Sequence, residues 1–246
     1  MPDRPRKVFG KIYILTKNAL NRFYRLGPPQ PPTYDYEEIK DIHKGETIYI
    51  IAPGTSLNNV DPSIFDDKLT IAINSAGFWR DCTYWAIAEG GYSMWAGTKV
   101  GLREKYKDKF AKQKFLLTCR AALIWIEQEL PFKNIYITRH EEVNTVPRRM
   151  KIPAVTTINT IASAWWMGCD RAVIFGLDLS KKGGPYVKGV PYTQKGAKHG
   201  YKPQVEVLKG CIHEGLEIFN VNDQSNGLGL PFMPTSMDRA LEELSK

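Results

Sequence analysis

From Glu46 onward, short continuous apolar runs alternate with longer stretches in which apolar residues recur every three or four positions. The runs at 47–52 (TIYIIA), 69–73 (LTIAI), 84–88 (YWAIA), 113–118 (QKFLLT), 135–138 (IYIT) and 172–176 (AVIFG) are rich in Ile, Tyr and Phe and bounded by turn residues or charge. They predict strands buried on both faces. Helical spacing predicts helices over 92–109, 121–129, 160–167 and 205–214. Such alternation implies an α/β fold, a parallel sheet with helices on both faces. In sheets of this kind the ligand site lies beyond the carboxyl ends of the strands, where the strand order reverses.

The first 33 residues break this pattern. Arg4, Arg6, Lys7, Lys11, Lys17, Arg22 and Arg25 face a single acid, Asp3, and a Pro-rich spacer follows at 28–32. Val8, Ile12, Leu15, Ala19 and Phe23 fall at helical spacing, which predicts a basic amphipathic helix. Its apolar run is too short and too interrupted by cations to span a bilayer. Two roles fit it: lying on an anionic membrane through Phe9, Tyr13, Phe23 and Tyr24, or packing on the domain or on a sister subunit. The expected organisation is this helix and spacer at 1–33 and one domain at 34–246.

Composition narrows the class without naming a function. With 43% hydrophobic residues the chain can bury a core, and it lies well below the apolar content of a membrane protein. Lys and Arg outnumber Asp and Glu by 34 to 26, so the net charge of +8 favours an anionic partner: a nucleotide, a phosphorylated glycan, nucleic acid or an acidic membrane face. Cys82, Cys119, Cys169 and Cys211 are far apart and form no C-x-x-C pair, which argues against a zinc knuckle or a disulfide framework. A reducing cytoplasm is the expected location, with the inner membrane face as a second place if the basic helix binds lipid.

The candidate chemistry sits in the turns that follow the predicted strands. After 47–52 come Gly54, Thr55 and Ser56, a small-residue turn whose glycine lets backbone approach a ligand and whose amides and hydroxyls can hold a phosphate. After 69–73 come Asn74 and Ser75, able to read a base or sugar. Thr156, Thr157 and Asn159 stand just ahead of the helix expected from Thr160, where they can cap it or clasp an anion. Gly176, Leu177 and Asp178 end the late strand, followed by Ser180, Lys181, Lys182 and Tyr186. The polar stretch at 187–202 has no apolar period and reads as a lid that orders on substrate binding. It contains His199, in a Gly- and Lys-rich setting where an imidazole can accept a proton from an attacking hydroxyl. His43 falls in the linker, His140 in a charged stretch and His213 in the helix expected over 205–214.

Taken in order, Gly54-Thr55-Ser56-Leu57, Asp61, Asn74, Thr156-Thr157, Gly176-Leu177-Asp178, Tyr186 and His199 resemble the family 42 bacterial sialyltransferases. They also resemble the related domain of flagellin-modifying motility factors and MptE-like pterin pyrophosphokinases. The resemblance covers about residues 46–225. In those sialyltransferases a G-N-G-P-S-L turn holds the cytidine nucleotide. Here the run is Ala52-Pro53-Gly54-Thr55-Ser56-Leu57, with proline in place of the asparagine. The family's next asparagine corresponds to Asn74, and its Gly-Ile-Asp-Phe stretch to Gly176-Leu177-Asp178-Leu179. Of its two phosphate-contacting tyrosines, one falls on Tyr186 and the other on Ser180, so that Lys181 or Lys182 takes over charge neutralisation. Its catalytic histidine aligns with His199, ahead of a helix at 205–214 and a strand at 216–221.

The resemblance implies a Rossmann-like nucleotide-sugar-binding domain that transfers a sugar from a CMP-activated donor to the hydroxyl of a glycan or other acceptor. His199 would be the base; Tyr186 and Ser180, with the neighbouring lysines, would stabilise the departing phosphate. The chain contains no D-x-D, and Asp66-Asp67 reads as a solvated cap, so neither a metal nor a cofactor beyond the CMP-sugar is expected. Two alternatives stand beside this reading. One is ATP-dependent pyrophosphoryl transfer, for which no G-x-x-x-x-G-K-[ST] loop is present. The other is a non-catalytic nucleotide- or nucleic-acid-binding module. Self-association into a homo-oligomer is compatible with each.

Overall fold

A computed structural model of the chain describes residues 33–34, 36–87, 105–118, 134–138, 155–179, 186–190, 205–206, 208–222 and 229–245. Among the described residues, the six apolar runs and three further segments form one nine-stranded sheet. Its strands are β1 (Thr33–Tyr34), β2 (Thr47–Ile51), β3 (Thr70–Ile73), β4 (Tyr84–Ile87), β5 (Lys114–Thr118), β6 (Asn134–Thr138), β7 (Arg171–Phe175), β8 (Glu217–Val221) and β9 (Met233–Thr235). Every neighbouring pair is parallel, in the order β1-β6-β5-β4-β3-β2-β7-β8-β9. The chain builds outward from β2 through β6, then returns to the other flank of β2 with β7, β8 and β9. The strand order therefore reverses between β2 and β7, and the fold is an α/β, Rossmann-like parallel sheet.

Strict alternation divides the strand side chains between two buried faces. Ile48 and Ile50 of β2, Ile71 and Ile73 of β3, Ala172 and Ile174 of β7 and Ile218 of β8 share one core with Ile158, Ile161 and Ala162 of helix α2 (Val155–Trp166). Ile51, Ala72, Trp85, Phe115, Val173 and Phe175 share the other. That second face is covered by Leu57 and Phe65 from two 3-10 turns, Phe110 from α1 (Lys107–Lys112), and Ala240 and Leu244 from α3 (Met237–Leu244). Burial on both faces accounts for the unbroken Ile, Val and Phe runs that made these strands legible.

The helices depart from expectation more than the strands. Helix α2 begins at Val155, five residues before the predicted start, so Thr156, Thr157 and Asn159 lie inside its first turns, buried, and are not a preceding cap. Burial against the sheet overrides the weak helix propensity of the Thr-Thr-Ile run. The helix expected over 205–214 stops early: helical backbone occurs at 205–206 and 208, the Cys211 N–H closes onto the Leu208 carbonyl, and residues 211–213 are irregular. His213 is therefore not helical. Helix α1 runs three residues past the predicted end at Lys109. The helix expected over 121–129, most of that over 92–109 and the basic amino-terminal helix lie outside the described residues. The sheet also gains β1 and β9, and Thr33, the last residue assigned to the spacer, pairs with Ile135 of β6.

Candidate functional site

The carboxyl ends of β2 and β7 meet at the reversal of strand order, and their exits are bonded to each other. The Ala52 N–H donates to the Phe175 carbonyl (2.8 Å) and the Gly54 N–H to the Gly176 carbonyl (2.9 Å). A Cβ on Gly54 would lie 2.2 Å from the Gly176 carbonyl oxygen and 2.5 Å from the Asp178 carboxyl carbon. Glycine at 54 thus serves the close approach of one loop to another. Gly176 is constrained in turn: its φ is +72°, and a Cβ there would meet the Ala52 carbonyl oxygen at 2.1 Å.

Asp178 closes this junction. Ser56 donates its backbone N–H (3.0 Å) to one carboxylate oxygen and its hydroxyl to the other, and the Thr55 hydroxyl adds a third bond (3.2 Å). Gly54, Thr55, Ser56 and Asp178 are therefore brought together as expected from their positions, but the donors read as a phosphate cradle are engaged by a carboxylate of the chain itself. Proline at 53 offers no N–H, and the Leu57 N–H is taken by the Gly54 carbonyl.

The end of β3 lies beside the start of α2. The Asn74 side-chain amide donates to the Thr156 hydroxyl at 3.2 Å, and the Trp85 indole N–H donates to the Asn74 carbonyl. Asn74 has φ +49°, left-handed backbone that asparagine tolerates better than most residues. Leu179, one residue beyond Asp178, has φ +47° without that tolerance. Held conformations of this kind persist only where the surroundings impose them.

Among the described residues, three buried polar side chains around this edge lack a hydrogen-bond partner: Ser75 through Oγ, Asn159 through Nδ2, and Asn220 through both amide atoms. Ser75 follows Asn74, and Asn159 lies one turn after Thr156. Asn220 is on β8, flanked in register by Ile174. Its neighbour Asn222 donates to the Leu177 carbonyl at 3.0 Å. Buried polar groups are nearly always paired, so an orphaned set at the ligand edge of the sheet is where a bound molecule or water would find partners. Asn220 went unread in the sequence; an asparagine inside the apolar strand EIFNV was the available signal.

The segment 186–190 runs across the same junction. The Val187 N–H donates to the Pro53 carbonyl (2.8 Å) and the Lys188 N–H to the Asn58 side-chain oxygen (2.8 Å). Half-buried Tyr186 packs against the core face containing Phe175. Ser180, Lys181, Lys182 and His199, and most of the stretch read as a lid, lie outside the described residues.

Among the described residues, the other cysteines and histidines have structural partners. Burial raises the thiols of Cys82 to about 11 and of Cys169 and Cys211 to about 12, so none is a ready thiolate. His213 stacks on Trp165 with ring centroids 5.3 Å apart, and burial lowers its pKa. His43 sits between the Tyr84 hydroxyl and Glu46 at the opposite edge of the sheet. Asp61 accepts from the Ser63 N–H and caps a 3-10 turn, while Asp66 pairs with Arg80. Among the described residues no group of His, Cys, Asp and Glu is arranged to hold a metal ion. No helix among them is long and apolar enough to cross a membrane. No family model and no curated protein matches the chain.

Proposed function

We propose that the chain is a glycosyltransferase of the sialyltransferase-like kind, moving a sugar from a CMP-activated donor to an acceptor hydroxyl without a metal. The observation that carries this reading is the convergence of four sequence-distant loops at the carboxyl edge: Gly54–Ser56, Asn74–Ser75, the first turns of α2, and Gly176–Asp178. Sheets that reverse order between two central strands bind nucleotides at that crevice. The orphaned Ser75, Asn159 and Asn220 groups supply neutral donors and acceptors suited to a base, a sugar or a sugar acid.

In this reading His199 takes the proton of the acceptor hydroxyl as the bond to the anomeric carbon forms. Tyr186 and Ser180, with Lys181 and Lys182, stabilise the CMP phosphate as it leaves. Asn74, Thr156 and Thr157 line the donor side. A glycan or another hydroxyl compound is the acceptor class, and the basic amino-terminal segment brings the enzyme to an anionic surface.

Calorimetric titration of the full chain with CMP, UMP, UDP and ATP, each with and without magnesium, tests the reading. CMP binding that needs no magnesium, weakened about tenfold by Asn74→Ala, is the expected result. Magnesium-dependent ATP binding with no CMP binding would replace the transferase by the pyrophosphokinase.

A further inference from the structure

The junction of β2 and β7 carries a negative group where nucleotide-binding sheets of this topology often carry a positive potential. The Asp178 carboxylate accepts from the Thr55 hydroxyl and from both the hydroxyl and the N–H of Ser56. The strand exit that carries it is tied down, because the Gly54 N–H donates to the Gly176 carbonyl and the Ala52 N–H to the Phe175 carbonyl, with Gly176 packed against Ala52. No Lys or Arg among the described residues forms an ion pair with Asp178; its partners are three neutral donors.

We propose that Asp178 determines the phosphate class of the donor, admitting a nucleoside monophosphate and rejecting a diphosphate. This rests on the nucleotide reading above and adds to it the role of a single residue. A lone phosphate reached by Tyr186 can stand clear of Asp178, its sugar lying toward Asn74 and Thr156. A second phosphate placed at the turn finds the Ser56 N–H and both hydroxyls already engaged, and it meets a fixed carboxylate. At a separation of about 6 Å and an effective dielectric near 20, repulsion between two unit charges corresponds to about a hundredfold in affinity. Asp178 is only partly buried, so solvent and salt reduce this to about tenfold. Exclusion of this kind works through a repulsive element built against the wrong ligand.

The test is the ratio of CDP to CMP dissociation constants for the full chain, measured by calorimetry for the wild type, Asp178→Asn and Thr55→Val. A ratio taken within one variant is insensitive to the fraction of protein that has folded. Wild type should prefer CMP by about tenfold, and Asp178→Asn should bring the two nearly level by tightening CDP. Thr55→Val removes one bond to the carboxylate and keeps its charge, so it should retain the preference. A ratio unmoved by Asp178→Asn, or one that collapses equally in Thr55→Val, overturns the inference while leaving CMP binding intact. Wild-type protein that binds neither nucleotide removes the nucleotide reading itself, and the role of Asp178 with it.

Discussion

The two edges of the sheet are built from the same strands yet settle their polar groups to different degrees. At the amino edge, the His43 ring nitrogens lie 3.0 Å from the Tyr84 hydroxyl and 3.2 Å from Glu46, and Lys40 rests over the Trp166 ring. Backbone donors there are matched: the His43 N–H meets the Met167 carbonyl and the Gly45 N–H that of Gly168. At the carboxyl edge Ser75, Asn159 and Asn220 are buried without partners, whereas among the described residues of the amino edge only the Arg171 Nε is. Positive φ falls at both edges, at Asn74 and Leu179 on one and at Asp41 and Asp67 on the other. Unsatisfied groups are costs that folds keep where they serve a function, so the imbalance in unpaired groups supports the carboxyl edge as the proposed site.

The sharpest way to break this contrast is to compare the proposed base, His199, with a histidine of the amino edge. Under the proposed function, His199→Ala should lower turnover by about a hundredfold to ten-thousandfold, the range for losing a general base. His213→Gln, at the amino-edge end of α2 where His213 stacks on Trp165, should leave turnover unchanged. Steady-state rates of transfer from CMP-sugar for the two variants decide it. Equal effects, or none from His199, would detach the chemistry from His199.

Gly54→Ala probes the junction itself. Its new Cβ would strike the Gly176 backbone carbonyl, which cannot swing aside as a side-chain end can, and the Asp178 carboxylate, which Thr55 and Ser56 hold in place. A loss of about 3 kcal/mol in urea denaturation is expected, at the upper end for overpacking. A loss below about 1 kcal/mol would mean that the two loops part easily, and that the close approach is not what the glycine is for.

The smallest effects carry the contrast in their sign. Tyr84→Phe at the amino edge removes the hydroxyl facing His43 and should cost about 1 kcal/mol. Ser75→Ala at the carboxyl edge deletes a buried hydroxyl that has no partner, and should be neutral or stabilising by up to about 1 kcal/mol. Thermal unfolding of the unliganded protein measures both. A destabilising Ser75→Ala would show that the hydroxyl is already satisfied and would remove it from the orphaned set.

The architecture was legible because its cause is local and repeated. A parallel strand covered on both faces must be apolar at nearly every position, and TIYII, TIAI, YWAI and RAVIF announce this without reference to neighbours. Helix α3 also carries local signals, with Ser236 accepting from the Arg239 N–H as a cap, yet it stands outside the expected strand and helix alternation. β9 was hidden for a physical reason: three residues with a central proline form a strand only as an edge beside β8.

The candidate site divides along the same line. That Gly54–Ser56, Asn74 and Gly176–Asp178 follow strands is written in the sequence, and the topology of a parallel sheet then carries them to one edge. That Asp178 would reach across the strand reversal to take up the donors of Thr55 and Ser56 is not written there, because residues 122 or 123 apart in the chain meet only when β7 pairs with β2. The same holds for the start of α2. Propensity places the boundary near Thr160, while burial against β2, β3 and β4 draws Val155 to Asn159 into the helix and sets Thr156 against Asn74. By itself the sequence determined which segments are strands and which turns could hold a ligand, since those follow from local apolar period and turn chemistry. The tertiary structure alone decided which polar groups spend their hydrogen bonds on the chain and which are left without a partner, since pairing is a property of distance.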